Sequence, residues 1–291
     1  MSKYAKLLSA FLILLFSCTE RIDINTNDAA PRLSVFGYVT NLQGVHTVKI
    51  TYTAGYFTSE APIGISNAIV SLFDGTNRYF LTENPDTAGV YCTDPLFSGK
   101  EGKTYTLDIS LDFNKDGIDE HYRATAYMPY ATRVDSVELQ PSLMPSVPNL
   151  LLYGKVPDTQ KNYLALYLQK NSEITNIFGY FLILTDSYFE GYDIDGYEFP
   201  CFIRGGIEIG DTITFKVKSF SEEFANFISH AKSEVGGSNP IFGGPPADVG
   251  TNIFALDKNN ETPIVGFFGA FPQDEKYTIS EQDFSSPGHE H

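Results

Sequence analysis

Between Arg32 and Pro129 one pattern recurs. Short runs of β-branched and aromatic residues with approximate alternation are cut at intervals of about ten residues by Asn, Asp, Gly and Pro. Leu33–Val39 and Val45–Thr53 flank the turn Asn41–Gly44 and read as a β-hairpin. Further strands are expected at Ala68–Phe73, Arg78–Glu83, Gly89–Thr93, Thr104–Leu111 and His121–Tyr127. A chain punctuated this often cannot build a helical or parallel α/β core, because neither helical nor crossover lengths are available. Seven or so strands at this spacing predict an all-β sandwich over 32–130.

After Pro129 the β texture continues. Strands are expected at Arg133–Leu139, Leu150–Val156, Tyr163–Gln169, Ile177–Thr185, Phe199–Ile203, Thr212–Lys218 and Pro263–Ala270. They imply a second β-sandwich or barrel-like domain over 131–279. One helix is expected within it, at 221–235. Phe224, Phe227, Ile228, Ala231 and Val235 form a single apolar stripe there, Ser219 or Ser221 can cap the start, and Gly236-Gly237 stops it. The tail 280–291 carries little apolar surface and is expected to be disordered.

The first residues have a different character. Lys3 and Lys6 precede a run, Leu7–Phe16, that is too short to span a bilayer, so 1–17 reads as an export signal. Leu15-Phe-Ser-Cys18 resembles a bacterial lipobox, in which Cys18 is acylated and becomes the first mature residue. The polar, aperiodic stretch 18–31 then serves as a flexible tether. Everything downstream is expected to be a tethered, extracytoplasmic domain held to a lipid surface through Cys18.

Charge limits the partners. The 291 residues carry 20 Lys plus Arg against 36 Asp plus Glu, and loss of Lys3 and Lys6 moves the net charge from −16 to −18. Such a chain repels phosphate backbones, so nucleic acid is not an expected partner. The other cysteines, Cys92 and Cys201, are compatible with a disulfide or with two lone thiols, and no CxxC or Cys/His cluster suggests zinc.

Two constellations could bind something. Asp112, Asn114 and Asp116 occupy alternate positions before Gly117, like the first half of a calcium loop, but the twelfth position is Arg123. Structural Ca²⁺ and a plain hairpin turn both fit, and no other cofactor is expected. Asp193–Glu198 is a weaker echo, read as a turn. The segment 177–202 is richer in aromatics than the chain average of 14%; within it Tyr188, Phe189, Tyr192 and Tyr197 are candidates for a ligand or partner surface, alongside the alternative of core packing. No catalytic residue is proposed, because HExxH, GxSxG, SxxK and phosphate-binding glycine loops are all missing.

Several short motifs, taken in order, resemble a known family. They include Leu33-Ser-Val-Phe-Gly-Tyr-Val39, Asn67-Ala-Ile-Val-Ser-Leu-Phe-Asp74, Ala88-Gly-Val-Tyr91, Gly102-Lys-Thr-Tyr105 and Tyr122–Pro129. Ser221-Glu-Glu-Phe224, Asn239-Pro-Ile-Phe242, Asn252-Ile253 and Val265-Gly-Phe-Phe268 follow. The family is that of Bacteroidota outer-membrane lipoproteins with domain of unknown function 4249, often encoded beside SusC-type TonB-dependent receptors. The resemblance implies an Ig-like or transthyretin-like N-terminal sandwich. It also implies a TonB-dependent barrel as partner, for which the protein would be a ligand-capture accessory or, alternatively, a structural scaffold subunit. It supplies no catalytic residues.

Overall fold

The computed structural model describes residues 31–53, 61–144, 146–174, 182–185, 193–203, 205–236, 249–257 and 263–284. Among the described residues the architecture is all-β with one packed helix, as the alternation predicts.

The first sheet has nine strands. Seven come from the N-terminal half: β1 (Leu33–Thr40), β2 (Thr47–Tyr52), β3 (Ile69–Phe73), β4 (Arg78–Glu83), β5 (Val90–Cys92), β6 (Thr104–Leu111) and β7 (Glu120–Tyr127). Inward parity is set by residues such as Leu33, Val35 and Val39 of β1 and Tyr105, Leu107, Ile109 and Leu111 of β6, all buried in one core. Two strands return from far along the chain. β15 (Ile253–Ala255) pairs with β7, and β16 (Ile264–Phe271) runs parallel to β1, giving the order β15-β7-β6-β3-β4-β5-β2-β1-β16.

Asn252 stitches the two flanks of this sheet together. Its amide nitrogen donates to the carbonyl of Thr125 on β7 and to that of Phe268 on β16, at 3.0 and 2.8 Å, while its oxygen accepts the Phe268 N–H at 2.9 Å. One side chain thus replaces a missing rung, and the sheet is nearly closed around its core.

The second core lies between two smaller sheets. One contains β8 (Arg133–Gln140), β9 (Asn149–Lys155) and β13 (Asp193–Pro200); the other contains β10 (Tyr163–Lys170), β11 (Glu173–Ile174), β12 (Leu182–Thr185), β14 (Thr212–Phe220) and β17 (Gln273–Ile279). Val134, Leu150, Leu152, Leu164, Leu166, Ile213, Phe215 and Val217 fill it.

Four expectations need correction. The partition at 130/131 is crossed, because residues 253–255 and 264–271, assigned by sequence to the second domain, form β15 and β16 of the first sheet. Asp193–Glu198 is not a turn but part of β13, where the positive φ of Gly196 (68°) absorbs the Asp-Gly chemistry as a bulge between Asp195 and Tyr197. The tail is packed at least to Phe284, which is 4% exposed in the second core and donates its N–H to the Ile207 carbonyl at 2.7 Å. A single buried ring is enough to hold a short polar segment. The expected strand Phe199–Ile203 starts and ends earlier, at Asp193 and Pro200.

The helix α1 (Glu222–Gly236) forms where the apolar stripe places it. Ser221 is its cap, accepting the Phe224 N–H at 3.3 Å, with Glu222 and Glu223 in the first turn. Ser219 is used differently, accepting the Thr132 N–H. Phe224 and Ala225 pack with Phe220, Phe267 and Phe271, and the missing Cβ of Gly269 leaves room for the Phe224 ring, which would stand 2.8 Å from it. The helix therefore covers the outer face of β16 at the place where the two sheets meet.

Candidate functional site

Beside that helix the packing gives out. Phe36 and Tyr38 lie at the outward parity of β1, 42% and 40% exposed, where a sheet would normally show polar residues. Their rings meet edge-on at 6.5 Å, and Tyr38 continues onto Phe271 at 5.2 Å. Pro272 follows, and the same chain enters the second sheet as β17.

On the second sheet, alternation along β14 sends Phe215 and Val217 into the core and Lys216 and Lys218 to the opposite face. The Lys218 ammonium stands 4.8 Å from the Tyr167 ring and 5.3 Å from that of Phe271. Lys216 is paired with Glu275 of β17 at 2.6 Å. Among the described residues no carboxylate lies within salt-bridge distance of Lys218. Desolvation, and secondarily the charge of Lys216, lower the Lys218 pKa from its usual value. Burial pushes the Tyr167 hydroxyl up to about 12, so it is a protonated phenol at neutral pH. Phe36 and Tyr38, the buried Phe271 beneath them, Tyr167 and Lys218 thus form a ledge of rings with one cation set into it. Such a surface can hold an apolar or planar group and an anion; it contains no nucleophile–base pair.

The junction behind the ledge is fixed by hydrogen bonds. Asn41 accepts the Gln273 N–H at 2.9 Å and donates to the Gln273 carbonyl at 3.2 Å. Glu101 accepts from Arg133 at 2.7 Å and from the Ala131 N–H at 3.0 Å, and Asp274 accepts the Val134 N–H at 3.0 Å. Each of these bonds ties the first sheet or its exit strand to β8 or β17.

Those residues singled out from sequence that the structure describes lie elsewhere. Cys18, Tyr188, Phe189 and Tyr192 fall outside the described residues. Tyr197 is exposed on β13, in the sheet on the other side of the second core from β14. Asp112, Asn114 and Asp116 sit in the β6–β7 turn, where both Asp112 carboxylate oxygens accept backbone N–H groups, of Asp116 at 3.0 Å and Gly117 at 2.9 Å. Asp116 accepts the Ile118 N–H at 2.9 Å, and Asn114 donates to Glu120 at 2.5 Å. The loop is closed by its own amides. Among the described residues no group of three or more His, Cys, Asp or Glu is arranged to hold a metal ion. Cys92 and Cys201 are both free thiols, and burial pushes the Cys201 thiol up to about 12.

Sequence reasoning placed Phe36, Tyr38, Tyr167 and Lys218 in strands but did not single them out. A signal was available in Leu33–Val39: with Leu33, Val35 and Val39 inward, the outward positions hold two large aromatics.

The family model for a domain of unknown function (DUF4249) matches residues 19–277. The chain belongs to this family. No curated protein matches the sequence. Among solved structures, the chicken CNTN1 FN1–FN3 domains are similar at 14% identity and a TM-score of 0.26, over 66% of this chain and 60% of that one. So low a score carries no argument about this DUF4249 protein, whose architecture rests on its own strand pairing.

Proposed function

We propose that this DUF4249 protein is a non-enzymatic lipoprotein, acylated at Cys18 and held at the outer membrane. There it works as the ligand-capture accessory of a TonB-dependent transporter of the SusC type. The observation that carries the capture reading is the ledge, in which Lys218 rests on two rings without a carboxylate partner among the described residues. The Leu7–Cys18 run supports the location, and the acyl chains supply a membrane affinity that an acidic surface does not. From Cys18 to Pro31 there are 31 − 18 = 13 residues, a reach of at most about 45 Å, enough to let the folded body meet a neighbouring barrel. The absence of recognised catalytic motifs supports a binding role.

The scaffold alternative draws on Phe36 and Tyr38, whose exposure suits a flat protein contact as well as a ligand. Purification of the native lipoprotein in mild detergent separates partnered from solitary behaviour. Recovery of a TonB-dependent barrel protein in stoichiometric amount is the expected result, and a lipoprotein recovered alone would overturn the transporter reading.

A further inference from the structure

Lys218 has an unusual position among the cations of this chain. Its neighbour Lys216 takes the adjacent acid, Glu275, leaving Lys218 half-buried with ring faces in place of a counter-ion. No hydrogen-bond acceptor among the described residues reaches its ammonium. A desolvated ammonium is only partly compensated by ring quadrupoles, so an incoming anion gains more here than at an exposed lysine.

Size and polarity of the ligand follow from the same surface. The acidic whole repels polyanions, which argues for a single negative charge. Lysine offers a point charge without the fork that grips phosphate in two places. Phe36 and Tyr38 present exposed rings that meet edge-on, and the buried Phe271 beneath links Tyr38 to the cation, so the exposed ring surface beside Lys218 suits an apolar or planar body attached to that charge.

We propose that the ledge of Phe36, Tyr38, Phe271, Tyr167 and Lys218 recognises small monocarboxylates carried on an apolar or aromatic body. The inference rests on the capture reading and narrows it to a ligand class. It is tested by calorimetric titration of the full chain in detergent with 3-phenylpropionate and with its neutral analogue 3-phenylpropionamide. The acid is expected to bind about tenfold more tightly than the amide, the scale of one charge-assisted hydrogen bond. Lys218→Met is expected to erase that preference and Lys218→Arg to retain most of it. Equal binding of acid and amide would overturn the carboxylate inference while leaving capture intact. Binding of neither would overturn both. A preference that persists in a folded Lys218→Met variant would move the cation elsewhere and overturn the assignment.

Discussion

Two side chains show how much of this fold depends on single polar groups. Asn252 makes three hydrogen bonds across the gap between β7 and β16, so Asn252→Ala leaves one N–H and two carbonyls of the seam to find new partners. The expected cost is about 1–3 kcal/mol, read as a lower urea midpoint with an unchanged slope. His46 is buried between Thr40 and Phe97, its Nε2 3.0 Å from the Thr40 hydroxyl, and desolvation lowers its pKa against a smaller opposing pull from the Leu42 backbone. The unfolded chain therefore binds the extra proton first, near pH 6.5, and stability falls as pH drops below that value. The lowered carboxylates Asp74, Glu83, Asp108 and Asp211 lose their stabilisation only below about pH 4. The melting temperature should accordingly fall between about pH 7.5 and 5.5 with His46 present, and fall less in His46→Gln. Asn252 stood out in the sequence only through the family resemblance, since an amide in a loop carries no local mark of the two strands it will join.

Elements were far more legible than their partners. The seven N-terminal strands, the alternation of β14 and the α1 helix all follow from periodicity, because period 2 or 3.6 is written within a dozen residues. What periodicity does not contain is which edge a strand joins. The parallel register Leu33↔Ile264 to Thr40↔Phe271 links residues 231 positions apart, and nothing in either run distinguishes that pairing from one inside the second sheet. The ledge was hidden for the same reason: Tyr38, Phe271, Lys218 and Tyr167 lie on four strands that only the β16–β17 continuation brings together. The most buried anchor of helix α1 over that junction is Phe224, packed on Phe220, Phe267 and Phe271, with Phe227 stacked on Phe267 beside it. Phe224→Ala should cost about 3–5 kcal/mol if the site does not collapse, and hydrogen exchange in α1 should accelerate before that in β6.

At the scale of the whole molecule, the return of β15 and β16 makes the first core depend on residues beyond 250. Ile253, Phe268 and Ala270 are buried in it. Residues 31–130 expressed alone should therefore lack a cooperative unfolding transition, whereas the full chain should unfold in one step followed equally by tyrosine fluorescence and circular dichroism. A folded 31–130 fragment with a sharp melt would show that the crossing strands are dispensable. The ledge is framed by hydrogen bonds, since Asn41 and Glu101 join the loops of the first sheet to β17 and to the start of β8, and Asp274 joins β17 to β8. In the proposed function one thiol, that of Cys18, holds this body on the lipid surface. Intact mass and fractionation of the native protein beside Cys18→Ala provide the most direct test. The native chain is expected to begin at Cys18, carry acyl mass and sediment with membranes, and the variant to lose both the acyl mass and the anchorage. An unacylated native chain, or a variant that stays in the membrane fraction at the native mass, would contradict lipid anchorage at Cys18.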